Sequence, residues 1–137
     1  MKKIVFLFLL PCVFGVSPAL AQTSEAEQLA QAQLEAYNQR DIDAFLVPYS
    51  DSVKVYDNLR DFSYQGKDRM RTGYAGFFQS VDSLHCTVVN RIVLGNVVID
   101  QEEVYIARGG KKTIFEAIAI YTIRNGKIEE VAFKSPD

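Results

Sequence analysis

The chain has 137 residues, of which 48% are hydrophobic, 23% charged and 12% aromatic, with a formal net charge of −2. That balance excludes a disordered tail, a collagen-like fibre and a disulfide-rich miniprotein, and it suits a single globular domain. The one run apolar enough for a membrane lies at the start. Met1-Lys2-Lys3 is a short basic head, Ile4 to Val16 is apolar, and Ser17-Pro18-Ala19-Leu20-Ala21 places small residues ahead of Gln22. This is the grammar of a secretory signal peptide over residues 1–21, too short to span a bilayer. Cys12 follows Pro11, not a small residue, which argues against a lipid-modified cysteine. A periplasmic or secreted domain over residues 22–137 is therefore expected. Loss of Lys2 and Lys3 leaves 13 basic against 17 acidic side chains, a balance of −4. No basic face is left to neutralise phosphates, so nucleic acid is not an expected partner, nor is a membrane after cleavage. With Cys86 alone in the mature part, no internal disulfide forms and folding rests on apolar burial.

The mature chain opens with helix signals. Ser24 with Glu27 fits a capping box, and Leu29, Gln33, Ala36, Tyr37 and Arg40 follow at helical spacing. Asp41 reads as a second N-cap, for a short helix through Phe45 and Leu46 that Pro48 cannot prolong. Ser52 to Asp57 alternates as a strand, Asn58 to Asp61 is a loop, and Phe62-Ser63-Tyr64 adds a short extended piece. Gly66-Lys67-Asp68 leads into a third helix with Met70, Tyr74, Phe77 and Phe78 on one stripe. Leu84–Leu94, Val97–Ala107, Lys111–Arg124 and Lys127–Phe133 then read as strands. Gly95-Asn96, Gly109-Gly110 and Asn125-Gly126 divide them into hairpins. An antiparallel meander follows helices, which is an α+β arrangement with helices segregated to one side. Along Lys111–Arg124, Phe115, Ala117, Ala119 and Tyr121 point one way, and Ile114, Ile118 and Ile120 the other. An apolar outer face predicts cover by a second subunit, a homodimer.

Several segments resemble a known superfamily. Ala36-Tyr37-Asn38-Gln39-Arg40-Asp41 through Phe45, Tyr49 to Val53 with Tyr56-Asp57, and Gly66 to Arg71 with Tyr74 are similar to the nuclear transport factor 2-like, SnoaL-like group. So are Val89 to Asp100 and Glu116 to Tyr121 followed by Asn125-Gly126-Lys127-Ile128. The group includes ketosteroid isomerases and polyketide cyclases. The resemblance implies a cone-shaped fold, three helices on a strongly curved, mainly antiparallel sheet with a pocket between them. It also implies a small lipophilic molecule as partner and proton transfer on a carbonyl compound.

In ketosteroid isomerases a carboxylate moves the proton while a tyrosine and a protonated aspartic acid hold the enolate oxygen. The base falls on Asp57, which reads equally as a cap of the Asn58–Asp61 loop. The two oxyanion positions fall on Gln33 and Ala119, so those donors do not carry over. Gln33, Tyr37, Tyr56, Phe62, Tyr74, Phe78, Tyr121 and Phe133 are the expected pocket walls. Tyr74 also fits a plain core stripe, and Gln33 either meets a polar pocket or drifts into solvent. Glu116 is expected to pair with Arg91 or Lys127 across the sheet, or to line the cavity. His85 beside Cys86 has no clustered ligands, so no metal is expected. The two point to opposite faces of a strand, which argues against a nucleophilic pair, and no cofactor is expected. Three functions stay open: a proton-transfer enzyme, a non-catalytic ligand-binding module, and a dimeric accessory domain.

Overall fold

The computed structural model describes residues 23–136. The expected leader over residues 1–21 lies outside the described residues. Helix α1 spans Glu25–Gln39, rich in Ala and Gln, and starts where the Ser24 hydroxyl accepts from the Glu27 N–H at 3.2 Å. It ends at Arg40, in the left-handed region with φ 55°. That strained residue is anchored by its own side chain, whose Nη1 donates to the Val81 carbonyl at 2.8 Å. Asp41 caps the next helix at once, accepting from the Ala44 N–H, so α2 (Ile42–Leu46) leaves at an angle. Strands β1 (Tyr49–Asp57) and β2 (Asp61–Gln65) precede α3 (Lys67–Ser80), and β3 (Ser83–Leu94), β4 (Val97–Arg108), β5 (Lys111–Arg124) and β6 (Lys127–Lys134) complete the chain.

The six strands form one sheet in the order β2-β1-β6-β5-β4-β3, antiparallel except for the β1–β6 pair. The three expected hairpins are present. Gly109-Gly110 and Asn125-Gly126 both take the paired positive φ values of tight primed turns. The helices cover one face. There Ala30, Leu34, Phe45, Tyr49, Met70 and Val98 join one buried core. Where the three helices meet, Phe45 sits 4.5 Å from Tyr74 and 5.2 Å from Tyr49 between ring centroids.

Two irregularities shape the inner face. A β-bulge between Val88 and Asn90 inserts Val89, so the residues beyond it change face and Arg91 lies opposite Asp100. Asn38 ties α1 to β3, its amide donating to the Cys86 carbonyl at 2.9 Å and accepting from the Cys86 N–H at 2.7 Å. An Asn38→Ala variant leaves both backbone groups without those partners. It is expected to lose roughly 2 kcal/mol of stability in urea unfolding, whereas an unchanged midpoint would show that α1 is held by apolar contact alone.

Candidate functional site

Between α1 and the inner face of β3–β5 lies a cavity of about 230 Å³. Small residues on β5 leave the room. The register sets Ala117 opposite Glu102 and Ala119 opposite Asp100, so two carboxyl side chains of β4 project where the facing strand has only methyl groups. Both are buried, Asp100 at 0% and Glu102 at 7% exposure. Arg91 binds Asp100 through two contacts of 2.7 Å and also donates to Gln31 at 3.0 Å. Asp100 is thereby neutralised by a paired, fork-shaped contact. Glu102 is not.

Glu102 instead ends a directional chain of hydrogen bonds. Gln33 Nε2 donates to the Ala30 carbonyl at 3.1 Å and to the Tyr121 hydroxyl at 2.9 Å. Its Oε1 accepts from the Tyr49 hydroxyl at 3.3 Å. With its oxygen already serving as acceptor, the Tyr121 hydroxyl sends its proton to Glu102 Oε1 at 3.2 Å. Burial pushes the Glu102 carboxyl up to about 7, with Asp100's charge adding to the effect. Bonds from Tyr121 and Cys86 and the more distant Arg91 lower it only in part. Burial likewise raises the Tyr121, Tyr49 and Tyr74 hydroxyls and the Cys86 thiol, so these remain protonated at neutral pH. An apolar wall of Leu34, Phe45, Val104, Phe115 and Phe133 completes the chamber.

The expected wall residues divide by strand and helix geometry. Gln33, Tyr37, Tyr74, Tyr121 and Phe133 line the cavity. Gln33 is 4% exposed, and two tyrosines and a carbonyl satisfy its amide. Tyr56, Phe62 and Phe78 do not line it. Tyr56 pairs with Ala132 and borders a shallow cleft on the outer sheet face with Ile120 and Thr122. Phe62 is 61% exposed and meets Tyr56 edge-on at 6.0 Å. Phe78 is buried behind the wall, packed on Tyr37, Phe45, Tyr74 and Phe77. Asp57 is exposed at the end of β1 and borders a separate open cleft with Arg69 and Tyr64. That cleft shares only Tyr74 and Phe133 with the enclosed chamber. Glu116 is exposed and faces Glu103, because Arg91 has been turned to the inner face and Lys127 donates to the Val47 carbonyl.

The carboxylate inside the chamber is Glu102, which the sequence reading passed over. The signal was present in the Gly109-Gly110 turn. A two-residue loop fixes the β4–β5 register, and that register sets Glu102 against Ala117 on the face shared with Tyr121.

A family profile described as a SnoaL-like domain matches residues 30–131. Among solved structures, an LEH-like epoxide hydrolase from M. tuberculosis superposes with a TM-score of 0.74 at 17% identity, covering 83% of this chain and 84% of that one. An uncharacterised cystatin-fold protein from Novosphingobium aromaticivorans superposes at 0.72 with 24% identity, covering 82% and 98%. A putative SnoaL-like polyketide cyclase from Shewanella denitrificans gives 0.73 at 13% identity, covering 83% and 92%. Comparison with curated proteins gives no match. At these identities the structural likeness is one of fold.

Glu102 makes a prediction about stability. Its folded-state value is about 7 against an ordinary 4.5, so between those limits the folded chain holds a proton that the unfolded chain has released. Stability then falls as pH rises through that window, by on the order of 3 kcal/mol, and levels off above it. Glu102→Gln is expected to remove this component and to be more stable than the parent at pH 8. Parallel pH–stability curves for the two proteins would show that Glu102 titrates normally.

Proposed function

Because the chain belongs to the SnoaL-like domain family, we propose that its inner chamber binds a small lipophilic molecule and that Glu102 exchanges a proton with the polar end of that ligand. The observation that supports this is the placement of Glu102, a buried carboxyl lining a mostly apolar, part-open chamber, where burial raises its proton affinity to about 7. A general acid or base works best with a proton affinity close to the working pH, and such groups contribute typically 10²–10⁴-fold to rate. Size limits the ligand. A cavity of about 150 Å³ accepts benzene, so about 230 Å³ has room for one or two rings.

A binding module without turnover is the second reading, and one observation favours it. Both Gln33 donors and the Tyr121 proton are spent within the protein, so neither is aimed at an enolate oxygen. Asp57 stays in the proposal as the base for a ligand that reaches the open cleft beside Arg69 and Tyr64.

The tripartite start of the chain supports export. A row formed by Ile92, Ile99 and Ile120 across the outer sheet face supports a homodimer. Sedimentation at micromolar concentration is expected to give a dimer that Ile120→Asp dissociates, and a monomeric parent would refute it.

Proton transfer is tested with 2-tetralone in deuterated water, following exchange of its α-hydrogens by NMR. Wild-type protein is expected to accelerate exchange, Glu102→Gln to lose about a hundredfold or more, and Asp57→Asn to keep most of it. The reverse pattern would assign the base to Asp57. No acceleration by wild type, with line broadening of the ketone on binding, would establish the binding module.

A further inference from the structure

The chamber is built around a charge imbalance. Arg91 and Asp100 neutralise each other through paired 2.7 Å contacts. Of the groups that act on Glu102, only Arg91 is cationic, and its fork is already committed. No Lys, Arg or His is among the described residues that line the cavity. Its walls are instead aromatic, with Tyr37, Phe45, Tyr49, Tyr74, Tyr121 and Phe133 contributing rings. Aromatic faces attract cations, and a desolvated carboxylate without a counter-charge is costly until one arrives. An anionic ligand would meet Glu102 and the negative faces of the rings together.

We infer that the chamber takes a small lipophilic cation, a protonated or quaternary amine, whose charge rests against Glu102 inside the aromatic box. This rests on the chamber being the ligand site and is independent of turnover.

The groups facing Glu102 are known from every element packed on it. They are Asp100 on β4, Arg91 and Cys86 on β3, Tyr121 on β5, Gln33 and Tyr37 on α1, Tyr49 on β1 and Tyr74 on α3. The tyrosines and Cys86 stay protonated, and His85 is exposed, one residue out of phase with Cys86. Between pH 6 and 8, Glu102 is therefore the group that changes charge. A cation binds the ionised form, so its apparent affinity scales with the ionised fraction.

The probes are choline and its uncharged isostere 3,3-dimethylbutan-1-ol, measured by isothermal titration on the full domain. Choline is expected to bind at least tenfold more tightly at pH 8. That advantage should shrink about tenfold at pH 6, and Glu102→Gln should abolish it at both values. Equal binding of the two probes would overturn the inference and leave the pocket reading standing. So would a choline advantage that survives Glu102→Gln or ignores pH. Binding of neither would overturn the inference and remove the support for a small-molecule chamber as well.

Discussion

Two carboxyl groups on the inner face of β4 lie near one guanidinium, which only Asp100 engages, and the interior of the domain is organised by that shortage. Asp100 is wholly buried and takes both contacts of Arg91. Burying a charged pair is tolerable only with such geometry, because each ion gives up several kcal/mol of hydration. The bulge at Val89 makes the geometry available. Without the extra residue, Arg91 would fall on the outer face and Asp100 would be buried with no counter-ion. Glu102 lies two residues along the same strand and reads the consequence. Burial raises its proton affinity first, and the negative charge of Asp100 outweighs the spent positive charge of Arg91, so it holds its proton.

The hydrogen-bond chain behind Glu102 has a direction, and Gln33 gives it one. An amide has distinct donor and acceptor ends, and here the donor end is fixed by the Ala30 carbonyl one turn earlier in α1. Tyr121 must then accept from Gln33 and donate to Glu102. A tyrosine at position 33 would carry one mobile proton and leave that direction undefined. The α1 stripe needs this side chain to be held still, and the two-way contact between Asn38 and the Cys86 backbone supplies the constraint from five residues further along the helix.

Much of the fold was legible in the sequence, because its signals are local. Ser24, Asp41 and the glycine-bearing pairs name the ends of helices and strands, and alternation along Lys111–Arg124 names the inner and outer faces. The site was legible only where a single element decided it. Gln33, Tyr37, Tyr74, Tyr121 and Phe133 lie on faces that their own periodicity defines. Tyr56 and Phe62 lie opposite each other on the outer face. Tyr56 follows inward Val53 and Val55 out of phase, so strand alternation already turns it outward, a local signal that the expected wall set did not use. Glu102 was hidden because β4 mixes apolar and acidic residues on both faces. The Arg91–Glu116 pairing failed on one inserted residue, since a bulge reverses every side chain that follows it.

The two carboxylates considered for chemistry differ in surroundings more than in position. Asp57 and Glu102 approach the same partition from opposite sides, with Tyr74 and Phe133 forming walls of both compartments. Asp57 stands in open solvent with Arg69 bordering the same cleft, and water competes for every proton it handles. Glu102 is shielded by rings, has no cation to itself, and is the one carboxyl among the described residues that line the chamber. A carboxyl so placed would titrate together with a charged ligand seated against it, since closely interacting groups gain and lose protons as a pair. On the proposed function, ligand recognition and proton exchange would therefore pass through the same two oxygen atoms.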